Sequence, residues 1–194
     1  MKLSVDLKSD SSEAWLQAVL QDFPAFLQDH ANCERKASSM ALSLVAKYPN
    51  RLEIIPDLIE TALEELEHFR DVYAIMQAQG IALPHEIEKD LYAVQLVTCC
   101  NSGLEARFMD RLLLGSVMEC RGAERFKKVA DALEEGSLKQ FYKRLWTSEA
   151  RHGHIFVGFA LQYFDEQAVY KRLNELMEME AEILKSLPVK AALH

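Results

Sequence analysis

A repeated spacing of acids and imidazoles restricts this chain more than anything else in it. Glu34, in "CERKA", stands 31 residues before Glu65, and His68 follows three positions later in "EELEHFRD". Glu119, in "ECRGA", stands 30 residues before Glu149, and His152 follows in "SEARHGH". The pattern Glu … Glu-x-x-His therefore occurs twice, offset by 84 or 85 residues. Positions i and i+3 lie about 60° apart on a helix, so each Glu–His pair can reach one point in space. A lone E-x-x-H string means little, because surface ion pairing produces many; two, each with a matching acid upstream, form a stricter pattern.

The segments carrying these residues are apolar at helical spacing. Leu27, Ala31, Ala37, Ala41 and Val45 surround Glu34 on its face, and Leu58, Ala62, Phe69, Val72 and Met76 surround Glu65. Leu112, Gly115, Gly122, Ala123, Phe126 and Ala130 accompany Glu119; Tyr142, Leu145, Trp146, Gly153, Phe156 and Ala160 accompany Glu149. A short helix is expected after Ser11 or Ser12. A second should open at Pro24 and run to about 47, and a third should span 52–79 and stop at Gly80. A helical stretch near 85–97 sits in a long connection. Ser102 with Glu105 as a capping box opens a helix to about 133, another spans 138–163, and a polar one runs from 166 to 186 ahead of Pro188. Four long helices with an extended crossover between the second and third predict an all-α, ferritin-like four-helix bundle with additional helices at the termini. One domain over 1–194 is expected, its core bundle at about 24–164.

On that reading all four Glu face the core. An isolated buried carboxylate costs several kcal/mol, of the order seen for unpaired buried ions, and four together repel. Structural ion pairs are the competing account, but Arg35, Arg121 and Arg151 lie about 100 to 200° round the helix from the nearby Glu. Two divalent cations would neutralise four carboxylates, and mixed oxygen and nitrogen donors suit iron, with manganese also served by them. The candidate ligands are Glu34, Glu65, His68, Glu119, Glu149 and His152. His30 falls one turn from Glu34 on the same face, as a core histidine or one supporting that ligand.

Composition closes off other classes. With 49% hydrophobic residues, 7 Gly and 5 Pro the chain can bury a core, yet it has no apolar run of about 18 residues to span a membrane. The opening MKLSVDLKSDSSEAW lacks the apolar stretch of a secretory signal, so a cytoplasmic location is expected. Cys33, Cys99, Cys100 and Cys120 form no C-x-x-C pair, which leaves out a zinc ribbon or rubredoxin-type centre.

The strings "ERKASSMAL", "ECRGAERF" and "SEARH" on this skeleton resemble the bacterial tRNA hydroxylases of the MiaE type, from about Trp15 to Leu187. Cys120 and Gly153 depart from residues often found there in that family. The resemblance implies the same six ligands, two iron ions and O2 as co-substrate. It also implies hydroxylation of the isopentenyl group of 2-methylthio-N6-isopentenyladenosine next to the tRNA anticodon. An external electron-transfer protein or reductase would supply electrons, since no nicotinamide or flavin fingerprint is present. The alternative is an iron-oxidising or peroxide-scavenging ferritin-like or rubrerythrin-like protein without an RNA substrate. Assembly stays open between a monomer and a small homo-oligomer.

A net charge of −8 runs against a general nucleic-acid footprint. Basic residues nevertheless gather on two helices: Arg107, Arg111, Arg121, Arg125, Lys127 and Lys128 on one, Lys139, Lys143, Arg144 and Arg151 on the next. Arg121, Arg125, Lys127, Lys128 and Arg144 are the candidate phosphate contacts, set against the plainer reading of a solvated mixed-charge face.

Overall fold

The computed structural model describes residues 5–86 and 89–194. Within them the chain forms α1 (Glu13–Gln21), α2 (Phe23–Lys47), α3 (Ile55–Ala78), α4 (Leu91–Thr98), α5 (Leu104–Ala132), α6 (Ser137–Leu161) and α7 (Glu166–Ser186), with no strand among the described residues. The long helices α2, α3, α5 and α6, with the crossover between α3 and α5, follow the order of a ferritin-like four-helix bundle. The contacts divide into two compact units, one of Gln17–Glu88 and Val189–Leu193, the other of Met1–Leu16, Lys89–Pro188 and His194.

In the first unit, α2 and α3 form a helical hairpin. Asp22 starts α2 by accepting a bond from the Ala25 amide at 3.2 Å, with Pro24 in the first turn, where its missing N–H costs nothing. Helix α3 begins three residues later than the pattern alone predicts: residues 52–54 turn, and Pro56 takes a place in the first helical turn. Gly80 ends this helix at φ 71°, where the Ile81 amide reaches back to the Met76 carbonyl at 2.9 Å. Ser38 Oγ donates to the Ala62 carbonyl at 2.8 Å, tying the two helices together one turn from Glu34 and Glu65.

The second unit pairs α5 with α6 and lays α7 along them. The capping box expected at Ser102 and Glu105 does not form. Gly103 takes the cap position at φ 97°, with no side-chain cap bond, so Ser102 stands one residue too early to reach the first turn. Helix α4 begins at Leu91, later than 85, because Asp90 accepts from the Ala93 amide at 2.9 Å; residues 87–88 of the expected stretch lie outside the described residues.

Helix α7 differs from its polar reading. Val169, Leu173, Leu176, Met177 and Ala181 are buried, and Glu180 lies among them at 0% exposure. Two ion pairs fasten it to α5. Arg172 grips the fully buried Asp110 through Nε and Nη2 at 2.8 and 3.0 Å, and Arg121 grips Glu180 through Nε and Nη2 at 2.8 and 3.0 Å.

Candidate metal centre

All four Glu of the repeated pattern are buried, Glu34, Glu65, Glu119 and Glu149 at 3, 1, 8 and 2% exposure. His152 is fully buried and the His68 side chain is 15% exposed. Helical period by itself turns the four carboxylate positions inward.

In the α2–α3 unit, His68 Nδ1 lies 3.5 Å from Glu65 Oε2 and 3.6 Å from Glu34 Oε2. The other Glu34 oxygen, Oε1, is 2.6 Å from Nε2 of His30, which is itself fully buried. A carboxylate can only accept, so His30 Nε2 carries the proton and donates. In the α5–α6 unit, His152 Nδ1 lies 3.5 Å from Glu149 Oε2, and Glu119, Glu149 and His152 offer ligand atoms within 4.8 Å of one another.

These separations suit a metal ion. A gap of 3.5 Å is long for a hydrogen bond, whereas two ligands about 2.1 Å from one cation and about 110° apart are about 3.4 Å from each other. The same Glu–His distance recurs in both units. Carboxylate oxygen with imidazole nitrogen is a donor set for a borderline or hard divalent ion.

Close approach of α5 and α6 frames the second set. Ser116 Oγ donates to the Gly153 carbonyl at 2.6 Å, and a Cβ at Gly153 would meet Cys120 Sγ at 2.4 Å. Burial pushes the Cys120 thiol up to about 12, so it packs as a neutral group.

Two of the five candidate phosphate contacts require correction. Arg121 is completely buried; besides Glu180 it bonds Glu124 Oε2 at 2.9 Å and the Ser9 carbonyl at 2.8 Å. Arg125 is 5% exposed, donates to Ser11 Oγ at 2.9 Å and lies over the Trp15 ring, 4.6 Å from its centroid. Both point toward α7 and the N-terminal segment, where no phosphate can reach. Lys127 stays at the surface, paired with Asp131 at 2.7 Å, and Arg144 is exposed. Lys128 is one-third exposed, 3.7 Å from Glu124. One signal in the sequence could have found the buried pair: Glu180 continues the apolar stripe Val169, Leu173, Leu176 of α7, and an acid there requires a buried cation.

The helix order, with Glu and Glu-x-x-His carried in each unit, places the chain in the ferritin-like class of all-α proteins. A solved structure described as "Protein 43 with aldehyde deformylating oxygenase activity from Synechococcus" superposes with TM-score 0.90 at 28% identity, covering 95% of this chain and 92% of its own. Residues 2–194 match the family described as tRNA-(MS2IO6A)-hydroxylase, MiaE. A Pseudomonas putida protein named tRNA 2-(methylsulfanyl)-N(6)-isopentenyladenosine(37) hydroxylase is 35% identical over 174 residues, 90% of this chain and 84% of the relative. A Salmonella typhimurium protein of the same name is 27% identical, covering 93% of this chain and 84% of the relative. The chain belongs to the MiaE family of tRNA hydroxylases.

Proposed function

We propose that this chain is an O2-dependent di-iron hydroxylase acting on the isopentenyl group of 2-methylthio-N6-isopentenyladenosine next to the tRNA anticodon. The observation that carries the reading is the duplicated Glu … Glu-x-x-His set, its four carboxylates buried and its Glu–His separations matching at 3.5 Å, in a chain of the MiaE family. The unit of function is a single ferritin-like domain over 1–194, with Glu34, Glu65, His68, Glu119, Glu149 and His152 holding two iron ions. Manganese fits the same donors.

Bound reduced iron supplies activation of O2 and insertion of oxygen into an allylic C–H bond. The balance is R–H + O2 + 2 electrons + 2 protons giving R–OH + water, so one oxygen atom enters the substrate and the other leaves as water. The chain carries no nicotinamide or flavin fingerprint and no C-x-x-C pair, so the electrons come from an external electron-transfer protein or reductase.

The protein's own part is ligation, positioning and exclusion of water. Burial of the Glu and His donors keeps bulk water from the reacting bond. The modified base must be splayed from its loop to reach them, as sequence-specific recognition of RNA loops generally requires. Exposed Lys127 and Arg144, with Lys128, are the side chains offered to phosphate. Among the described residues no helix is long and apolar enough to cross a membrane, and a tRNA substrate puts the enzyme in the cytoplasm.

Nucleoside analysis of tRNA from a strain lacking this gene tests the assignment. The hydroxylated nucleoside should disappear and its unhydroxylated precursor accumulate; persistence of the hydroxylated form in the deletion strain overturns the reading.

A further inference from the structure

The two halves of the repeated pattern part company one turn before the lone Glu. An offset of 85 aligns Glu34 with Glu119 and His30 with Gly115. In the first half a fully buried imidazole lies there and donates to Glu34 Oε1 at 2.6 Å. In the second half there is no side chain, and a Cβ at Gly115 would come within 3.1 Å of the Phe156 ring. One proposed ligand thus has a hydrogen-bond donor behind it at a position where its counterpart has a glycine backed by a phenyl ring.

We propose that His30 is a positioning residue that confines Glu34 to one oxygen for metal ligation and thereby makes the two metal positions chemically unequal. This rests on the metal reading above. A short bond from an imidazole N–H to a carboxylate fixes the carboxylate's rotamer and withdraws charge from the oxygen it holds. The oxygen left over is Oε2, the one 3.6 Å from His68 Nδ1, so the donated bond selects the atom that faces the other donors of this unit. His30 is itself held in place, with its ring 5.9 Å from that of Phe26 on the preceding turn. A side chain at Gly115 would require the Phe156 ring, 3.1 Å from an added Cβ, to shift.

Cobalt(II) titration of the metal-free full-length protein, followed by its visible absorption, tests this without turnover. Wild type should take up two ions in two resolvable steps with distinct spectra. His30→Leu, which fills the volume without a donor, should weaken one step by about tenfold or more, the range for loss of a group supporting a metal ligand, and change that step's spectrum alone. His30→Gln, whose amide can donate to Glu34, should recover most of the loss. Circular dichroism establishes that both variants are folded, and if His30→Leu is not, His30→Ala takes its place in the comparison with His30→Gln. The inference is overturned if the donor-free variant binds both ions as wild type does, or if His30→Gln is impaired as much as that variant, which would make volume the cause. Wild-type protein that takes up no metal overturns the di-iron reading itself and this inference with it.

Discussion

Glu65 and His152 come from different halves of the repeated pattern, and each can be removed without touching the helix that carries it. Glu65→Ala or His152→Ala should abolish iron loading, measured as metal per chain, while leaving the far-ultraviolet dichroism close to wild type. Retention of two ions per chain in both variants would contradict the ligand assignment. Cys120 adds a second test at this scale. Its thiol is pushed up to about 12, burial being the largest cause, so below that pH the reactive thiolate is scarce. Alkylation of Cys120 near pH 8 should run about a thousandfold slower than that of an ordinary cysteine, followed by peptide mass analysis. Rapid labelling in the folded protein would show that the α5–α6 contact opens.

Between elements, the decisive feature is the contact of α5 with α6. Gly153 faces Cys120 so closely that an added Cβ would sit 2.4 Å from the sulfur, and the Ser116 bond to the Gly153 carbonyl holds the backbones at that spacing. Gly153→Ala should therefore cost about 1 to 3 kcal/mol through overpacking, and Cys120→Ala in the same chain should recover most of it. Urea denaturation of the two single variants and the double variant measures the coupling; additive losses would mean that the two positions do not share one space. The Cys120 sulfur thus occupies space left by the absence of a side chain at Gly153.

Over the whole molecule, the question is how a chain of net charge −8 meets RNA. The basic residues divide by burial. Arg121 and Arg125 serve the interior: with Glu180, Glu124, Tyr92 and Ser11 they join α4, α5, α7 and the N-terminal segment. Arg121→Ala would strand Glu180 in the interior and should cost about 3 to 5 kcal/mol, read as a lowered urea midpoint. Lys127 and Arg144 lie outside that network, and Lys128, one-third exposed, reaches only its edge, 3.7 Å from Glu124. Their triple replacement by alanine should leave stability nearly unchanged, weaken tRNA binding and flatten its dependence on log salt by about 2, given roughly 0.7 to 0.9 per phosphate contact. An unchanged salt slope in a filter-binding titration would move the RNA contact elsewhere.

Helical period was enough to read the helices, the order of the four long ones and the inward direction of Glu34, Glu65, Glu119, Glu149 and His152, because a helix's own geometry decides which of its positions share a face. Helix starts were less legible. Ser102 with Glu105 looks like a cap, but Gly103 alone can adopt the positive φ of that turn and displaces it. Tertiary structure alone decided which partner each buried polar group finds. Arg121 could be placed about 200° from Glu119 from sequence, but only the docking of α7 puts Glu180 against it and removes it from the surface. His30 shared a face with Glu34 from the start, whereas the choice of Oε1 as its acceptor, leaving Oε2 toward His68, depends on rotamers set by packing. Periodicity specifies directions from a single axis, and the chemistry of a site is set by distances between several.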